Sequence, residues 1–194
     1  MSAIAELRSA TWSAHQQLEK RLDIKTRFTD VAAYRAHLEK MWGFCAAVEG
    51  RLGQHVFGSA LADYATRRKI PLLTRDLIAL GAKLESVTSL PCCDTVPECL
   101  DPASAFGCLY VLEGASLGGR ILLPLVQSRL GLTVDNGAAF LASYGADVAS
   151  MWHAFGVSLD AWCTDAQRLL RASSTAVATF ESLGHWLCGS PNER

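Results

Sequence analysis

The chain has 194 residues, half of them hydrophobic and 19% charged, with a formal net charge of −1. That is enough apolar material for one domain with a sizeable core, and the charge balance argues against a nucleic-acid-binding surface. The first residues lack a basic segment followed by an apolar core, and no run reads as long enough to span a bilayer, so the expectation is a cytoplasmic protein with no membrane partner.

Helical periodicity dominates from the start. Ile4, Leu7, Thr11, Ala14, Leu18 and Leu22 recur at the 3.6-residue period, predicting a helix from Ala3 to Arg21. Thr29 or Asp30 can cap a second helix with Tyr34, Leu38, Met41, Trp42, Cys45 and Val48 on its apolar face. Short helices are expected from His55 to Ala65 and from Leu72 to Leu84, and Pro91 to Pro102 reads as a loop. Asp101-Pro102 starts a long helix that is expected to bend near Gly118-Gly119 and to end at Gly131. Asn136-Gly137 marks a turn, followed by a short helix from Ala138 to Tyr144 and two longer ones, Ala146 to Trp162 and Thr164 to Trp186. No strand pair, repeat or low-complexity tract interrupts the pattern, so the class is all-α, one domain over residues 1–188 with a flexible tail at 189–194.

Seven cysteines are too odd a count for a fully paired framework. Cys45, Cys108, Cys163 and Cys188 fall in apolar helical patterns and read as small core residues. Cys92, Cys93 and Cys99 cluster in the Pro-rich loop without zinc spacing and read as reduced thiols, with a regulatory redox role as the alternative.

The stretch Gly114-Ala115-Ser116-Leu117-Gly118-Gly119-Arg120 carries the most information. Three glycines in six residues weaken a helix by about 1 kcal/mol each relative to alanine. Gly114 and Gly118 are four apart and share a face with Tyr110 and Phe106. Such a face suits either a flat, bulky ligand or a close helix crossing through small residues. His15 lies on the apolar stripe of the first helix. There it is either a satisfied core histidine or a neutral imidazole facing a cavity, able to bind iron or zinc. Glu19, one turn on, can accept from its second ring nitrogen and raise its basicity.

The segment Leu7–Glu19 (LRSATWSAHQQLE) resembles the proximal helix of haem oxygenases, and Leu109–Gly119 (LYVLEGASLGG) resembles their distal helix. With Ser143-Tyr144-Gly145 and Met151-Trp152-His153-Ala154-Phe155, the likeness spans most of the chain and is nearest the bacterial branch found beside bacteriophytochromes. The resemblance implies a helical bundle with haem b between the N-terminal helix and the Gly-rich helix. His15 would be the proximal iron ligand, and Gly114 and Gly118 would leave room for iron-bound O2. Arg8 would contact a haem propionate, Tyr110 the haem rim or a propionate, and Glu19 and Gly119 would complete the haem-binding set. It also implies cleavage of haem to biliverdin, with the α isomer suggested, plus CO and ferrous iron. No nicotinamide or flavin fingerprint is present, so electrons are expected from a ferredoxin or a reductase, and a bacteriophytochrome is an expected recipient of the bilin. One departure stands out: many haem oxygenases carry aspartate after the first distal glycine, where this chain has Ala115. The alternatives are a non-catalytic haem-binding or delivery protein on the same fold, and a thiaminase-like helical enzyme using Cys108. His37, His55, His153 and His185 lack partners at ligand spacing, and Phe180 and Trp186 read as core.

Overall fold

A computed structural model describes residues 2–53 and 57–189. His55 and residues 190–194 lie outside them, and with these most of the expected tail and the start of the helix expected at His55. Among the described residues there are ten α-helices and no strand.

Helix α1, Ala3–Leu22, begins where the Ser2 side chain accepts from the Ala5 N–H, and it ends at Asp23 in a left-handed conformation. The four-residue α2, Ile24–Arg27, leads to α3, Val31–Leu52, whose N-cap is Asp30, accepting from the Ala33 N–H. A 3-10 turn, Gly58–Leu61, and α4, Tyr64–Arg67, replace the single short helix expected here. The helix expected at Leu72–Leu84 is instead split into α5, Ile70–Ala79, and α6, Leu84–Thr88. Pro71 supports the earlier start, in the first turn where a missing N–H is harmless. Gly81, at φ 88°, makes the break.

Helix α7 runs 29 residues, Pro102–Leu130. Its start is over-determined: Asp101 accepts from the Ser104 N–H while Ser104 Oγ accepts from the Asp101 N–H. The helix continues through Gly118-Gly119 to Leu130, and its hydrogen-bond ladder has a gap at Pro124, which has no N–H for the Arg120 carbonyl. Helix α8, Ala139–Ala142, is shorter than expected because Ser143 turns left-handed at φ 49°. Helix α9, Val148–Trp162, follows a 3-10 turn, Gly145–Asp147. Helix α10, Ala166–Cys188, is capped by Asp165.

Helix α10 is the spine. Helices α1 and α7 both pack along it yet hardly touch each other. Gly107 makes the α7–α10 crossing close, because a Cβ there would run into the Ala172 carbonyl. Helix α1 is tied down at its ends: the Ala3 N–H donates to Asp160 at 2.5 Å, and Arg21 donates to the Gly189 carbonyl. The core is aromatic around Phe106, whose ring meets Phe57 at 5.1 Å and Phe155 at 5.9 Å. Phe106 is fully buried there and belongs to the core, not to an open aromatic face.

Helix α7 does reach the length and apolar composition of a membrane span, contrary to the expectation from sequence. Here 44% of that stretch is buried inside the fold, and the helix packs on α8, α9 and α10. Its apolar character serves the protein core on the faces that meet those helices.

His37 on α3 is buried against Phe28, and its Nδ1 has no hydrogen-bond partner. Burial, aided by Arg27 and Lys40, pushes its pKa down to about 3. The unfolded chain therefore takes up a proton below pH 6.5 that the native state refuses, and stability falls as pH drops from 6.5 toward 3. One such group sets a slope approaching ~1.4 kcal/mol per pH unit. Replacing His37 by leucine should flatten the pH dependence of urea unfolding by up to that amount, as measured by denaturation midpoints between pH 6.5 and 4.

Candidate haem-binding site

The proximal and distal candidates come from different helices that share α10 as a floor. On α1, His15 is about half exposed, with a side-chain accessibility of 44%. Its Nδ1 lies 3.8 Å from Glu19 Oε2, too long for a direct hydrogen bond and suited to a bridging water. Phe180 of α10 meets the imidazole edge-on at 5.5 Å, so this core ring orients the histidine. Phe180 itself is buried, as expected.

Arg8, exposed, lies on α1 toward its start. Together with Thr11 it stands beside the Tyr110 phenol of α7. Burial raises the Tyr110 pKa, with Thr11 and Arg8 pulling the other way. The phenol is therefore protonated at neutral pH and available as a donor. The Tyr110 ring leans on Trp152 at 5.6 Å. Arg8, Thr11 and Tyr110 thus bring one edge of the α1–α7 space together.

The three distal glycines do different work. A Cβ built on Gly114 or on Gly118 would meet nothing within 4 Å, so both glycines border open space. A Cβ on Gly119 would strike the Leu141 carbonyl of α8. Gly119 is therefore a packing glycine on the side that meets α8. Packing through small residues and an open ligand face, alternatives in the sequence, are both present on this helix at different positions.

Sequence reasoning missed what lies behind the glycines. Glu113, 1% exposed, receives Arg67 Nη1 at 2.8 Å on one oxygen and Lys69 Nζ at 2.9 Å on the other. Lys69 Nζ also donates to Ser116 Oγ at 3.1 Å and Tyr144 OH at 2.8 Å. Tyr144 OH donates to Glu113 at 2.7 Å, Ser143 and Ser116 hydroxyls meet at 2.9 Å, and Arg67 forks onto Asp63 at 2.7 and 2.9 Å. Burial holds the Lys69 pKa below its ordinary value while Glu113 pulls it up, and burial followed by Glu113 raises the Tyr144 phenol. Glu113, Ser116, Ser143 and Tyr144 stood in segments singled out by the sequence, whereas Asp63, Arg67 and Lys69 did not; charges on short helices far apart in the chain leave no local signal.

Ala115, where an acid often stands in the family resembled, lines a cavity of about 10 Å³ together with Lys69, Met41, Phe44 and Cys45. That is about the space of a single water. Among the other histidines, His37 is buried, and His153 and His185 are exposed. The described residues hold no cluster of three metal-ligating side chains. All seven cysteines are free thiols; Cys45, Cys93 and Cys108 are buried, while Cys163 and Cys188 are only partly so.

The heme oxygenase family model matches residues 1–188. The chain belongs to the haem oxygenase family. A heme oxygenase from Xanthomonas campestris pv. campestris is 27% identical over 100 residues, 52% of this chain. The match spans 56% of that relative, about half its length. The crystal structure of the NO- and CO-bound heme oxygenase from Neisseria meningitidis superposes with a TM-score of 0.83 at 20% identity, covering 100% of this chain and 96% of that one. This likeness shows that the all-α fold is shared.

The contrast between the glycines is measurable without haem. Gly114→Ala should stabilise the protein by up to about 1 kcal/mol, because alanine is the better helix former and meets no obstacle. Gly119→Ala should destabilise it by about 1–3 kcal/mol through overpacking against α8. Urea denaturation of the two variants beside the wild type checks both signs.

Proposed function

We propose that the chain is a haem oxygenase that cleaves haem to biliverdin IXα, CO and ferrous iron, using O2 and electrons from a ferredoxin or a reductase. The observation that carries this reading is the open face of Gly114 and Gly118 on α7 together with the half-exposed His15 on α1, two helices that hardly touch each other and both pack on α10. The donor set fits haem: one imidazole, a basic residue and a phenol at one edge, and a bare helix backbone on the other side.

Haem, when bound, is both the substrate and the source of the iron that activates O2. His15 would bind the iron through an imidazole nitrogen, with Glu19 holding its tautomer through water. Arg8 and Tyr110 would hold the propionates as cation and neutral donor. Gly114 and Gly118 would keep the space over the iron free of side chains, so that only a small ligand and ordered water fit and backbone groups stay within reach. With Ala115 in place of an acid, the water that supplies protons would be ordered by backbone carbonyls, since the Ser116 hydroxyl is engaged by Lys69 and Ser143 on another side of the helix.

The absence of an acid after Gly114, together with the Ser143-Tyr144-Gly145 segment, supports placement in the branch that serves bacteriophytochromes. On that reading the bilin passes to a phytochrome in the cytoplasm. A non-catalytic haem-delivery protein on the same fold is the second reading, favoured by the same Ala115.

His15→Ala should shift the Soret maximum and weaken ferric haem binding at least tenfold, with the circular dichroism of the haem-free protein unchanged. An unaltered Soret band and affinity would remove His15 as the ligand.

Single turnover separates enzyme from carrier. Haem-loaded wild type given O2 and a reductant should lose its Soret band as biliverdin appears. Gly118→Leu should still bind haem but lose turnover by a factor of 100 or more, since an isobutyl group fills the space for O2 and water. Oxidation of wild-type haem without bilin formation would select the delivery protein.

A further inference from the structure

We infer that Cys99 and Cys108 form an oxidisable dithiol, a modification site that closes to an intrachain disulfide when hydrogen peroxide reaches it. This does not depend on the haem reading.

Cys99 lies near the end of the irregular segment before α7, and Cys108 lies in the second turn of α7. Their sulfurs are 3.2 Å apart, with the Cys99 S–H donating to Cys108. A disulfide needs about 2.05 Å, so the gap is about one ångström and has to be closed by the loop, because Cys108 is fully buried in a packed helix. Cys99 is partly exposed and Leu100 beside it is 87% exposed, so little packing opposes a shift of the loop. No other pair among the described thiols is so placed. Cys93 is occupied by Thr95 and Ser182, each at 3.4 Å, and Cys92 contacts only the Leu90 carbonyl.

The surroundings favour a single negative charge on the pair. The Thr179 hydroxyl donates to Cys108 at 3.4 Å. Arg51, paired with Glu98 immediately before Cys99, places a cation near both sulfurs. Asp101 opposes it at Cys99, and burial opposes it at both. Shared hydrogen bonding holds the Cys108 thiol below its ordinary pKa and pushes the Cys99 thiol above it, since Cys99 is the donor.

The chemistry balances with peroxide as oxidant. The pair loses one proton to solvent, and the charge rests mainly on Cys108, with the Cys99 S–H donating to it; passage of that proton along the short S–H···S contact gives the minor form with thiolate on the accessible Cys99, and this is the form that reacts. That thiolate attacks one peroxide oxygen: the S–O bond forms, the O–O bond breaks, and hydroxide leaves to become water with the solvent proton. Cys108 then attacks the Cys99 sulfenic sulfur: the S–S bond forms, the S–O bond breaks, and hydroxide leaves with the Cys108 proton as a second water. The dithiol is oxidised by two electrons and peroxide is reduced by two. Burial keeps Cys108 out of reach of the oxidant, so it serves as the resolving thiol. The product fastens the loop to the helix that carries Gly114 and Gly118.

The test uses the intact haem-free chain treated with equimolar hydrogen peroxide, alkylated, and cleaved after Glu98 and Glu113. Peptide 99–113 then contains only this pair, and peptide 86–98 contains Cys92 and Cys93. The expected result is peptide 99–113 unalkylated and lighter by two hydrogen atoms, with both alkylation sites restored by dithiothreitol. Cys99→Ser and Cys108→Ser should each abolish the loss, and Cys92→Ser should leave it intact. Peptide 99–113 fully alkylated, Cys99 carried on to sulfinic acid without a bridge, or a bridge within 86–98 instead would each overturn the proposal. The wild-type peptide mass decides the matter even if a variant fails to fold.

Discussion

Glu113 is a carboxylate held in the interior of an apolar helix, and it is tolerable there only because Arg67 and Lys69 each neutralise one of its oxygens. Removing one partner of such a pair leaves an uncompensated buried charge and costs about 3–5 kcal/mol. The cluster therefore has to assemble as a unit, drawing α4, the start of α5 and the Ser143-Tyr144 corner onto one side of α7. That sets the rotation of α7 about its own axis. At ~100° per residue, Glu113 and Ser116 point one way, and Gly114 and Gly118 point well away from them. The open face exists because the charged face is pinned.

Two further buried carboxylates place the short helices that the cluster needs. Glu49 of α3 accepts from the Lys69 and Ile70 N–H groups, capping α5 from a distance and presenting Lys69 to Glu113. Asp76 accepts from the Ala139 and Phe140 N–H groups at 2.8 and 2.7 Å, capping α8. Helix α8 then lies against Gly119, where the missing Cβ lets the two backbones meet. Helices of four residues cannot sustain themselves, so α8 is held by Asp76 of α5 and α4 by Glu113 of α7.

The proximal side obeys a different constraint. Helix α1 is fastened near both ends, at Ala3 and Arg21, and by its apolar stripe to α10. Its middle, where His15 lies, makes little contact with α7. A helix fixed at its ends can expose a ligand in its centre without losing its place, and Phe180 supplies the contact that orients the imidazole.

The sequence by itself determined the long helices, because their apolar periodicity and most of their end signals are local: Asp30 and Asp101 begin α3 and α7, and Gly131 closes α7. It also singled out His15 and the Gly114–Gly119 run, since a polar ring on an apolar stripe and repeated helix-weakening residues are visible without neighbours. It could not divide the glycines. Gly114, Gly118 and Gly119 are chemically identical, and only the presence of Leu141 beside one and open space beside the others separates packing from access. Nor could it foresee Arg67 and Lys69 against Glu113, or the contact of Cys99 with Cys108. Those depend on which faces of distant segments are brought together, and that is decided when buried charge and apolar surface are satisfied in three dimensions at once.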